Sequence, residues 1–168
     1  MLHRYPRARF HLQDSEMAYV TGRCMCSRIL RRGYELEDVL HLVRCVYADR
    51  VVFHDQTVEI VPGLTVHRTG GHTAGQQVVR VWTRRGWVVI ASDASHLYFN
   101  METGSPFPSV QRVDEMMEGF RTLYQLSECS WDHVIPGHDP LVMDLYPAPG
   151  PELQGIAVRL DVSPSRRS

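Results

Sequence analysis

From Ala8 to Gln13 apolar and polar residues alternate, with Phe10 and Leu12 set against Arg9 and His11, which is the period of a short strand. Asp14 or Ser15 then caps a predicted helix through Met17, Ala18 and Val20, fraying at Gly22. Between Glu35 and Tyr47 the period becomes helical: Leu36, Val39, Leu40, Val43 and Val46 form one apolar stripe. It then returns to two. Val51–Phe53, Val58–Val61, Leu64–His67, Gln77–Thr83 and Trp87–Ala91 read as strands, with a Pro62-Gly63 turn and a tight Arg84–Arg85–Gly86 connection. Val88–Ala91 is almost wholly apolar, so this strand is expected to be covered on both faces. After an irregular loop at Gly104–Pro108, a long helix is predicted over Val110–Leu126, burying Val113, Met116, Met117, Phe120, Leu123 and Tyr124. His133–Ile135 reads as a short strand ending at Pro136-Gly137, and Ile156–Val162 as an edge strand.

The pattern is mixed α/β (α+β), rich in hairpins, with helices covering a sheet. A length of 168 residues suits one domain, taken as 1–162, followed by a loose tail over 163–168. Eighteen basic residues, all arginine and scattered, face nineteen acidic ones for a net charge of -1, which argues against nucleic acid or an acidic membrane as the main partner. No apolar run approaches the roughly 20 residues that span a bilayer, and Met1–Leu12 holds no signal-peptide core. Four cysteines do not make a disulfide framework, so a reducing cytoplasm is the expected compartment.

Three positions share one local grammar. His72 follows the strand Leu64–His67 within Thr69-Gly70-Gly71-His72-Thr73-Ala74-Gly75. Asp93 follows Trp87–Ala91 within Ala91-Ser92-Asp93-Ala94, and His138 follows His133–Ile135 within Pro136-Gly137-His138-Asp139. Each time a strand runs out into small or turn-forming residues and a metal-capable side chain appears at the exit. If the strands share a sheet, their ends can bring all three to one edge. Two imidazoles and a carboxylate suit zinc, with iron or manganese less selectively matched. Taken singly, a loop histidine is usually solvated and an aspartate after a strand usually caps a turn. The joint pattern is more specific than its parts.

Gly71-His72-Thr73-Ala74-Gly75, Ser92-Asp93-Ala94 and Pro136-Gly137-His138-Asp139 resemble, in order, the three later metal motifs of the metallo-β-lactamase superfamily. The stretch with Ser95-His96-Leu97-Tyr98-Phe99-Asn100 and Ser105-Pro106-Phe107-Pro108 is most similar to the lactonase branch, which includes N-acyl homoserine lactonases and pyridoxolactonases. The resemblance runs from about Phe10 to Tyr146. The superfamily's first motif, His-x-His-x-Asp-His, should precede Tyr5 and is absent, since no two histidines stand two positions apart. The resemblance therefore implies the later portion of an αββα sandwich lacking its first strands, through either an upstream start of the coding region or a natural truncation.

That resemblance also implies a chemistry. Two zinc ions would sit between the sheets, and a bridging hydroxide would open a lactone by attacking its carbonyl carbon. His72 would complete the first ion's histidines, His138 would belong to the second, and Asp93 would bridge them. A divalent ion lowers the pKa of bound water to roughly 7, which makes hydroxide available at neutral pH. His96 stands where many homoserine lactonases carry a tyrosine that touches the lactone. As a catalytic residue beside Asp93 it would donate to the carbonyl or leaving oxygen; the plainer alternative is an exposed loop histidine. Phe107 either lines the pocket or anchors its loop.

Other candidates are weaker. Cys24 and Cys26 lack a second pair at zinc-site spacing, and His41 and Cys45 are merely one helical turn apart. His54, His67 and His133 read as ordinary strand residues, and Gly70–Gly75 lacks the Lys-Ser/Thr of a phosphate loop. The expected function is a metal-dependent hydrolase acting on a small lactone or ester. The alternatives are a non-catalytic remnant that binds metal weakly, because three side chains hold one ion poorly, and another hydrolase of the superfamily such as a thioesterase.

Overall fold

The computed structural model describes residues 5–165, and contacts divide the chain into two compact units, Met1–Gln56 and Thr57–Ser168. In the first unit, β1 (Phe10–Gln13) leads directly into α1 (Asp14–Val20), and α2 (Leu36–Tyr47) precedes β2 (Val51–His54). Helix α1 begins at Asp14 itself, with no side-chain cap; Asp14 and Glu16 instead place negative charge at its positive end. Strands β1 and β2 pair in parallel from Phe10↔Val51 to Gln13↔His54. The buried Gln13 amide closes this pair by donating to the Gln56 carbonyl at 3.1 Å and accepting from the Gln56 N–H at 2.9 Å.

The second unit is built on five strands in the order β3 (Thr57–Val61), β4 (Leu64–Arg68), β5 (Gln77–Thr83), β6 (Gly86–Ser92) and β7 (Val134–Pro136). The first three pairings are antiparallel and β6–β7 is parallel. Helices α3 (Tyr98–Thr103), α4 (Val113–Leu126) and α5 (Leu141–Leu145) complete it. By register, Val78, Arg80, Val89 and Val134 share one face of the sheet. Val78, Val89 and Val134 join Met116, Phe120 and Leu123 of α4 in the core, and the Arg80 guanidinium donates to the Leu126 carbonyl at 2.8 Å.

Several expectations are corrected. Strand β6 is not covered on both faces along its whole length, because Ile90 is 39% exposed on the face opposite Val89. Helix α4 starts at Val113 rather than Val110, since the N–H groups of Gln111 and Arg112 are drawn to the Gly71 carbonyl at 2.9 and 3.0 Å. Val113, at the helix mouth, is then 55% exposed, and Tyr124 is exposed as well. His133 closes a short 3-10 turn before β7. The segment Ile156–Val162 is irregular rather than an edge strand: the carbonyls of Asp161 and Val162 accept from Arg84 and Arg85 side chains, while Val158, Leu160 and Val162 pack on the core. Within the expected tail, Ser165 donates to the Leu145 carbonyl through both N–H and hydroxyl; residues 166–168 lie outside the described residues, as do the first four of the stretch read for a signal peptide.

Among the described residues, no helix is long and apolar enough to cross a membrane. The four cysteines are free thiols.

Candidate metal centre

Strand direction explains why distant motifs meet. Both β4 and β6 run antiparallel to β5, and β7 runs parallel to β6, so β4, β6 and β7 all point the same way. Their carboxyl ends lie at one edge of the sheet, and His72, Asp93 and His138 follow those ends.

The loop carrying His72 is tied at its base by Thr69 and Gly70 N–H groups on the Gln76 carbonyl, at 2.8 and 3.1 Å. At its turn, Gly71 adopts φ +86° against the first turn of α4. The His72 Nδ1 lies 2.6 Å from the Ser109 carbonyl oxygen. A carbonyl only accepts, so Nδ1 carries the proton and the neutral ring keeps its lone pair on Nε2. That Nε2 faces Asp93 Oδ2 at 3.8 Å.

Asp93 leaves β6 through a sharp turn at Ser92, whose φ of 48° is left-handed and costs a non-glycine residue about 1 kcal/mol or more. The β7 exit is locked to the same loop by two backbone bonds, Gly137 N–H to the Ser95 carbonyl at 3.0 Å and His138 N–H to the His96 carbonyl at 2.9 Å. The close passage requires glycine at 137, because a Cβ there would stand 2.6 Å from the Ser92 oxygen. His138 Nε2 reaches Asp93 Oδ1 at 2.6 Å, although its side chain is 60% exposed.

His96 joins the group. Its Nε2 is 3.5 Å from the same Asp93 Oδ1, and Asp93, His96 and His138 offer donor atoms all within 4.8 Å of one another. Its ring stacks on Phe107 with centroids 3.5 Å apart and planes at 11°. Phe107 is itself buried in the core, so it anchors its loop and orients a site residue at once. Burial lowers the His96 pKa below the usual imidazole value; His138 pushes the same way, Asp93 opposes, and His72 adds to the lowering. Three imidazole Nε2 atoms thus surround one carboxylate.

The supporting contacts were not read from the sequence. Asp139 accepts from the Tyr98 N–H and the Leu141 N–H, both at 3.0 Å, so one carboxylate holds the first turns of α3 and α5 beside His138. Asp139-Pro140 ahead of Leu141-Val142 is a helix-start signal that could have revealed α5. Asp139→Ala is expected to cost about 1–2 kcal/mol, measured as a lowered urea midpoint at unchanged slope. No sequence signal marks the Ser109 carbonyl.

The weaker candidates are placed elsewhere. His67 bonds the Thr57 and Thr65 hydroxyls at 3.1 and 2.8 Å, and His54 pairs with His11 at 2.7 Å. Among the described residues neither His41 with Cys45 nor Cys24 with Cys26 belongs to a group of three potential ligands.

No family model and no curated protein matches the chain by sequence. Solved structures do match its fold. An N-acyl homoserine lactone hydrolase with the product N-hexanoyl-L-homoserine bound at its catalytic metal center is 23% identical, with a TM-score of 0.64 over 80% of this chain and 48% of that one. AidC, a dizinc quorum-quenching lactonase, is 16% identical with a TM-score of 0.58 over 81% and 49%. The hydrolase AbOPH of the beta-lactamase superfamily is 14% identical with a TM-score of 0.62 over 81% and 49%. The chain carries a partial metallo-β-lactamase fold and spans about half the length of these structures.

Proposed function

We propose that the chain supplies the later half of a metal-dependent hydrolase site that opens a lactone or related carboxylic ester. The observation that carries this reading is the convergence of His72, His96 and His138 on the Asp93 carboxylate at the carboxyl ends of three like-directed strands. The donor set fits a divalent ion: imidazole nitrogen and carboxylate oxygen are zinc's usual partners outside thiolate sites, and the Ser109 carbonyl already presents the His72 lone pair toward the carboxylate. His72, Asp93 and His138 would hold divalent metal, His72 from the Oδ2 side of the carboxylate and His138 from its Oδ1 side. A zinc ion there would lower the pKa of water and polarise the ester carbonyl.

The chain's own residues do the rest. Asp93 fixes the site's negative charge, and the Gly137 and His138 N–H bonds hold the two loops in register. His96 has two uses open to it, as donor to the ester oxygen or as a further donor to the ion. Its lowered pKa favours the neutral ring that binding an ion needs. The likeness of Ser95–Asn100 and Ser105–Pro108 to the lactonase branch, together with lactonases among the similar folds, favours a lactone.

A second reading has its own support. The Asp93–His96–His138 group lies at an open surface, with His138 more exposed than buried, so the chain could bind metal without turnover. Zinc titration with an assay on N-hexanoyl homoserine lactone and a panel of simple lactones and thioesters separates the readings. Zinc-dependent lactone opening that a chelator abolishes is expected; zinc binding with no hydrolysis of any substrate would leave only the binding role.

A further inference from the structure

We infer that His96 is a metal ligand, completing with Asp93 Oδ1 and His138 a three-donor site for one divalent ion built entirely from this chain. The inference rests on the proposed metal reading and goes beyond it, because it moves His96 from the substrate to the ion and separates the roles of the two carboxylate oxygens.

The geometry divides the site in two. On the Oδ1 side stand His138 Nε2 at 2.6 Å and His96 Nε2 at 3.5 Å, and these donors lie within 4.8 Å of one another. On the Oδ2 side stands His72 Nε2 at 3.8 Å, outside that group. Tetrahedral zinc with bonds of about 2.0–2.1 Å separates its donors by about 3.3 Å. The His96–Asp93 spacing is already close to that, and the His138–Asp93 pair would open by about 0.7 Å from its 2.6 Å contact. The His96 and His138 rings meet edge to face, with centroids 4.5 Å apart and planes at 65°. Two imidazoles and a carboxylate with the fourth position free make the donor count of a catalytic rather than a structural zinc site.

The chain also orients His96 as a ligand must be oriented. Its backbone carbonyl accepts the His138 N–H at 2.9 Å, which fixes the two donors to one another. Its ring lies flat on the buried Phe107, which restricts rotation.

The test measures binding rather than turnover. Zinc and cobalt(II) are titrated into the full chain and into His96→Phe, His96→Ala, His138→Ala and His72→Ala, with circular dichroism confirming the fold. His96→Phe retains a flat ring against Phe107 and removes the nitrogen. One equivalent of metal per chain is expected, with affinity falling roughly 100-fold in both His96 variants and in His138→Ala, and less than about 10-fold in His72→Ala. The cobalt(II) visible band of the full chain should collapse in His96→Phe. Unchanged affinity and spectrum in folded His96→Phe would overturn the inference while leaving the metal reading intact; no ion bound by the full chain would overturn both.

Discussion

Asp93→Asn is expected to weaken zinc binding by roughly 1000-fold, about 4 kcal/mol, and to bring any ester hydrolysis to background. The side chain keeps its shape and one carbonyl oxygen, so the His138 contact at 2.6 Å can survive as a hydrogen bond to a neutral acceptor. What it loses is the negative charge that the three imidazoles surround. Neutral nitrogen donors alone leave a dication uncompensated, and an amide oxygen is a much poorer ligand than a carboxylate. Thermal stability should move little in the absence of metal, by about 1 kcal/mol or less, because the Asp93 side chain is one-third exposed and solvent already screens its contacts with the histidines. Isothermal titration with zinc, alongside a thermal melt with and without metal, separates these effects. Retained tight binding in the folded variant would remove Asp93 from the centre of the site.

The legible part of the chain is the part where local pattern and tertiary environment agree. Alternation located β3–β6 within a residue or two because the sheet has one face on α4 and each strand is short and bounded by turn residues. The apolar stripe located α2 by period alone, since Leu36 and Leu40 of that stripe are exposed and Cys45 is the buried residue of the helix. The pattern misled where apolar residues met side chains instead of a strand partner. Val158, Leu160 and Val162 alternate as a strand would, yet Arg84 and Arg85 take the neighbouring carbonyls. Helices α3 and α5 escaped notice because each is only six and five residues long and is held by the Asp139 carboxylate, a contact between distant parts of the sequence.

The site shows the same division. Glycines around His72, small residues around Asp93 and Pro136-Gly137 before His138 announced strand exits, and strand direction then brought these residues to one edge. The sequence did not distinguish which carboxylate oxygen each histidine would face, nor that the Ser109 carbonyl would fix a tautomer, because backbone acceptors have no residue code. Ser92 is the informative exception to local preference. A left-handed serine at the end of an apolar strand is poor local chemistry, and it turns the chain so that the next side chain enters the cluster.

Gly71→Ala is expected to destabilise the fold by about 3 kcal/mol. Two costs combine. The φ of +86° disfavours any side chain, and the new Cβ would stand 2.7 Å from the backbone nitrogen and Cα of Met116. A flexible side chain could retreat from such a contact, but these atoms belong to the first turn of α4, whose Met116, Phe120 and Leu123 fill the core. The loop must therefore move instead, straining the two N–H bonds that Gln111 and Arg112 make to the Gly71 carbonyl and carrying His72 with it. Gly33→Ala is the matched control, since its Cβ would meet nothing within 4 Å; it should be neutral or slightly stabilising through the unfolded chain. Urea unfolding of both variants provides the comparison. The two-sided geometry of Asp93 adds a second readout: Gly71→Ala should displace the Oδ2 side while Asp93, His96 and His138 still bind one zinc with affinity within about tenfold of the parent chain. Equal stability of the two glycine variants would mean that the loop and α4 do not pack as closely as the geometry requires, and zinc binding lost in a folded Gly71→Ala chain would place His72 on the same ion as His138.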